Sequence, residues 1–174
     1  MEIINGYNRK CKDSIAGVKG VWIMKWLNHP LSQIVTVGNK LTSFPEAFVY
    51  KFESIENVTA NEVQETDDGG KYWKQSLGLT FSGSDVSNVE ILQRVDTRIL
   101  ILDNNGLYRV FGLYNGMLAG NIDYTTGGAK NDLNGIKISF EGKEEKQSFF
   151  VDSPFEIGFI EEGFNYYKDF TMYG

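Results

Sequence analysis

Between Ile99 and Glu145 the chain runs in short β-type segments broken by Asn104-Asn105-Gly106, Tyr114-Asn115-Gly116, Gly127-Gly128 and Leu133-Asn134-Gly135. Asn-Gly and Gly-Gly pairs supply the backbone torsions that tight hairpin turns demand, so this spacing predicts a meandering antiparallel sheet. Its strands are expected over Arg98 to Leu102, Leu107 to Leu113, Gly116 to Tyr124 and Gly135 to Glu141.

The upstream half extends the same pattern. Val18 to Trp26 reads as a first strand, with Val21, Ile23 and Lys25 on one face and Trp22, Met24 and Trp26 on the other, so both faces are expected to be at least partly covered. Ile34 to Val37 and Phe48 to Phe52 are shorter strands, separated by Gly38-Asn39 and by Pro45, which cannot donate to a ladder. Asn57 to Glu65 and Lys71 to Phe81 alternate loosely around Thr66-Asp67-Asp68-Gly69-Gly70 and form the clearest hairpin of the chain.

That hairpin is longer than a small sandwich requires. The arm over 57–81, with Glu65, Asp67, Asp68, Gly69 and Gly70 at its tip, is expected to project as an interaction arm; the alternative is a plain surface hairpin. Ser84 to Val95 reads as a helix capped by Ser84 or Asp85, with Val86, Val89, Leu92 and Val95 supplying its apolar stripe.

The expected fold is mainly β: two packed antiparallel sheets forming a sandwich or barrel over residues 1–146, one flanking helix over 84–95 and a long protruding hairpin. From Gln147 to Gly174 the chain changes character. Phe149, Phe150, Phe155 and Phe159 lead an aromatic series interleaved with acids and glycines, too aromatic for a disordered linker. This C-terminal arm must pack against something, either its own domain or a neighbouring subunit, where Phe and Tyr serve as anchors.

A length of 174 residues with 41% hydrophobic side chains suits one domain with a single core. The net charge of −6 disfavours a surface built to neutralise phosphates, although an acidic wall suits a passage through which DNA slides without sticking. Cys11 is the sole cysteine, which excludes an intramolecular disulfide and a Cys-rich zinc site and fits a reducing compartment. Met1 to Gly6 carries no basic region followed by an apolar run, so synthesis in a cytoplasm is expected.

Catalytic readings find little support. His29 is the only histidine, precedes Pro30 and has no partner nearby in sequence. Asp67-Asp68 and Glu144-Glu145 are paired acids, but glycosidase and metal roles need carboxylates held across a cleft, so these read as solvated turn and edge residues. Gly127-Gly128-Ala129-Lys130 lacks the spacing of a phosphate loop, and Cys11 lacks a base. No enzyme activity, cofactor or metal is expected.

The runs Leu102 to Gly116, Thr126 to Gly135 and Ile138 to Glu145, together with Cys11 to Lys19, resemble small structural proteins of tailed phages that infect Bacteroidetes. The resemblance implies a tail-tube or tail-hub subunit, made in the bacterial cytoplasm and located in the virion tail. It further implies a ring, expected to be hexameric, whose inner sheets join edge to edge around a DNA channel. The hairpin would then contact an adjacent ring or subunit, and other tail or neck proteins would be its partners. Two further classes stay open: a neck or head-tail connector, and a carbohydrate- or host-binding sandwich with Trp22, Trp26 and Trp73 as an exposed sugar platform. A small hydrolase would instead need two acids buried in one cleft.

Overall fold

The computed structural model describes residues 16–54, 58–82, 92–129, 132 and 134–162. Twelve strands follow one another: β1 (Val18–Lys25), β2 (Val35–Val37), β3 (Lys40–Ser43), β4 (Ala47–Phe52), β5 (Thr59–Asp67), β6 (Gly70–Ser82), β7 (Thr97–Asp103), β8 (Tyr108–Phe111), β9 (Leu118–Thr125), β10 (Gly135–Glu144), β11 (Phe149–Val151) and β12 (Phe159–Glu162). A short helix, α1 (Pro154–Ile157), lies between the last two strands. The helix expected over Ser84 to Val95 falls mostly outside the described residues; its end at Leu92 and Gln93 is helical, with Leu92 in the core.

The strands form an eight-stranded sheet of order β12-β4-β1-β7-β8-β11-β3-β2 and a four-stranded sheet of order β5-β6-β10-β9. The larger sheet cannot be flat. β3 and β4 are five strand positions apart in it, about 24 Å at the usual spacing, whereas the four-residue step from Ser43 to Ala47 spans at most about 14 Å. The sheet therefore curls until its two ends approach. Phe44 N–H donates to the Ile157 carbonyl at 3.0 Å and Ala47 N–H to the Gly158 carbonyl at 2.9 Å, which fastens the β3–β4 link against the entry to β12.

The alternation of β1 explains the two cores. Val21 and Ile23 point outward and meet Ile99, Ile101 and Phe111 of the same sheet and Leu77, Leu79, Ile136, Ile138 and Phe140 of the smaller one. Trp22 and Met24 point into the curl, where Leu41, Val49, Leu100, Val110, Phe149, Val151 and Phe159 surround them. Two packed sheets with both faces of β1 buried were thus legible in the sequence.

Two expectations are corrected. The larger sheet is mixed, not antiparallel, because β11 runs parallel to β3 and β12 parallel to β4. The meander is split: β7–β8 belongs to the curled sheet and β9–β10 to the smaller one. The chain changes sheet between Gly112 (φ 65°) and Gly116 (φ 79°), two left-handed positions, and Met117 then pins the crossing by filling the inter-sheet core. Of the two packings left open for the C-terminal arm, its described part takes the first: β11, α1 and β12 complete the curl of its own domain.

Candidate functional site

The expected arm is the β5–β6 hairpin, whose register runs without a break from Thr59↔Gly78 to Asp67↔Gly70. Its neighbour β10 stops pairing at Glu144↔Trp73, so residues 65–72 extend past the last rung. At the tip the Asp67 carboxylate accepts the Gly69 amide at 2.9 Å, and Asp68, Gly69 and Gly70 are exposed. Tyr72 donates to Glu65 at 2.7 Å, a bond to a carboxylate that pushes the phenol above its usual value. Lys143 lies 4.4 Å from the Tyr72 ring centroid and 3.9 Å from Asp67, steadying the tip from β10.

The root of the arm is held by a charged residue that sequence reading passed over. Glu62 sits on the inward parity of β5, beside Ala60, and its carboxylate accepts Gln75 Nε2 at 3.2 Å and the Ser148 amide at 2.8 Å. Arg109 Nη2 of β8 stands 3.4 Å from its other oxygen, with the guanidinium 4.7 Å from the Phe150 ring. Gln75 then accepts the Gly112 amide at 2.7 Å. One carboxylate therefore joins the arm, the curled sheet and the strand before α1; the available signal was a Glu at an inward position of an alternating strand.

Beside this junction lies a cleft of about 400 Å³ between β5 and the curled sheet. Val58, Ala60, Ile101 and Phe111 give it apolar walls, and Glu62, Asp103 and Arg109 supply its charged groups.

A second buried polar centre underlies the sheet crossing. Glu144, expected as a solvated edge residue, is buried, because its carboxylate accepts the amides of Tyr114 at 3.0 Å and Asn115 at 2.8 Å. Burial pushes its carboxyl above the ordinary Glu value. Arg98 is also buried, donating from Nε to the Leu113 carbonyl at 2.8 Å between the rings of Trp26 and Phe44, and desolvation pulls it down to about 10. His29 meets the edge of Phe44, and burial and then Arg98 lower its pKa. These groups organise turns.

The C-terminal aromatics separate into two kinds. Phe149 and Phe159 are core side chains and are not available to a neighbour: Phe149 meets Tyr114 at 5.9 Å and Phe159 stacks on Phe44 at 4.8 Å. Phe150 is half-buried under Arg109, and Phe155 is exposed while resting edge-on against Trp22 at 5.8 Å. Trp22 is buried with its indole N–H on Glu161 at 3.1 Å, and Trp26 donates to the Tyr114 carbonyl at 3.2 Å. Trp22, Trp26 and Trp73 therefore share no exposed platform.

The free edges carry the remaining surface signal. Among the described residues β12, β2, β5 and β9 each pair on one side only. Each bears an exposed apolar side chain: Ile160 (40%), Val37 (66%), Val63 (55%) and Leu118 (62%). Phe48 and Tyr50 continue the Ile160 patch onto β4, opposite Ile160 and Glu162. Among the described residues no three His, Cys, Asp or Glu side chains group to hold a metal ion, and no helix is long and apolar enough to cross a membrane. No family model, curated protein or solved structure matches the chain.

Proposed function

We propose that this protein is a structural subunit of a phage virion tail, a tail-tube or tail-hub protein that assembles into a hexameric ring around a channel for DNA. In this reading the fold is tail-tube-like, and the 57–81 hairpin is the arm that meets the neighbouring subunit or ring. The observation that carries the proposal is that, among the described residues, the edges of β2, β9 and β12 are open and each bears an exposed large apolar side chain. Monomeric β proteins blunt such edges, whereas a ring of identical subunits pairs each edge with a neighbour's. The acidic balance suits a channel that must not retain DNA.

Light scattering across a concentration series tests this directly. The mass should rise from monomer to a discrete closed oligomer, and Val37→Lys on the edge strand β2 should hold the chain at monomer mass without unfolding it. A wild-type mass that stays monomeric throughout would overturn self-assembly.

A further inference from the structure

We propose that the free edge of β5 and the cleft beside it form a docking site for an extended segment of another polypeptide. That segment places an apolar side chain in the cleft and a Lys or Arg against Asp103. The inference stands apart from ring formation, since it concerns the inner side of the arm and not the ends of the curled sheet.

Three features converge on this site. First, β5 pairs only with β6 among the described residues, and alternation from the Asp67↔Gly70 end leaves the backbone groups of Ala60, Glu62 and Gln64 facing away from β6. An added strand finds its main-chain partners there. Second, the side chains of Ala60 and Glu62 border the cleft, which is floored by Val58, Ile101 and Phe111. At about 400 Å³ it falls within the range of clefts that hold ligand groups. Alternate side chains of an incoming strand would point into it.

Third, the charge is uneven. Arg109 is paired through Nη2 with Glu62 and lies over the Phe150 ring, with its buried Nε unpartnered, so against its one positive charge the cleft sets the two carboxylates of Glu62 and Asp103. Asp103 accepts the amides of Asn105 and Leu107 through Oδ1 alone, at 2.8 and 2.9 Å, which leaves Oδ2 without a partner among the described residues. The cleft therefore carries a surplus negative charge and favours a cationic side chain two residues from the apolar one, on the same strand face.

The test uses the full-length chain, isotopically labelled, with the blocked pentapeptide Thr-Leu-Thr-Lys-Thr as probe and its Glu-for-Lys counterpart as control. Titration should shift the amide resonances of Ala60, Glu62 and Gln64 saturably, with the control binding about threefold more weakly or less. Ala60→Leu, which fills the cleft from within, should weaken the probe roughly tenfold while preserving the rest of the spectrum. Asp103→Asn, which keeps the Oδ1 acceptor, should erase the difference between the two peptides. Shifts confined to other strands, equal binding of both peptides to the unaltered chain, or unchanged binding by the Ala60→Leu chain would overturn the proposal. So would concentration-dependent protection of the β5 amides in the absence of peptide, which would assign this edge to a second copy.

Discussion

The rings of Phe44 and Phe159 stack at 4.8 Å with 16° between their planes, although 115 residues separate them, counting 159 − 44. Phe44 lies in the link between β3 and β4, and Phe159 opens β12. Their contact seals the curl of the larger sheet at the point where its two ends meet, and it makes the described segment from Ser148 to Glu162 part of the body.

Phe159→Ala should accordingly cost about 3–5 kcal/mol, the range for emptying an aromatic site in a core. Phe155→Ala, at an exposed site four residues earlier, should cost under about 1.5 kcal/mol. Urea unfolding of the two variants checks this; equal, small losses would mean the C-terminal segment is not integral.

Gly158 has φ 138°, and a Cβ there would run into the backbone carbonyls of Phe44 and Pro45. Gly158→Ala should therefore lower stability by more than about 2 kcal/mol, combining strain with loss of the Ala47 hydrogen bond. The midpoint of thermal unfolding reports it.

Glu144 gives the folded chain a pH signature. Because burial raises its pKa above 4.5, the stability linked to its proton is fully present below that value and declines as pH rises through the raised one. Glu144→Gln keeps an Oε1 acceptor for Tyr114 and Asn115 but cannot ionise. Its stability relative to the unaltered chain should climb as pH rises above 4.5. A difference that does not change with pH would contradict the assignment.

Glu62→Ala would strand the Ser148 amide and leave Arg109 half-buried without its carboxylate. A loss of about 2–4 kcal/mol is expected, with Glu62→Gln intermediate. Hydrogen exchange should quicken in the β5 and β6 amides before those of β7, because the arm is what the junction tethers.

The parts of the fold written in local signals were legible. The Asp67–Gly70 turn sits within the expected Thr66 to Gly70, and the opposite faces of Val21 and Trp22 on β1 follow from alternation alone. What escaped depends on distant partners. β3 is four residues long and pairs with β11, more than a hundred residues away, and β12 joins β4 in parallel, a pairing that no turn announces. Glu144 looked solvated beside Glu145 because its burial arises from two amides of the crossing between the sheets, about thirty residues earlier in the chain. The junction at Glu62 was hidden for the same reason: its alternation parity was visible, but Ser148 and Arg109 were not.

Negative-stain images of the purified protein across a concentration series test the central claim most directly. The account predicts closed rings, or stacks of them, with a central hole, and their disappearance in the Val37→Lys chain. Featureless monomers at every concentration would contradict it.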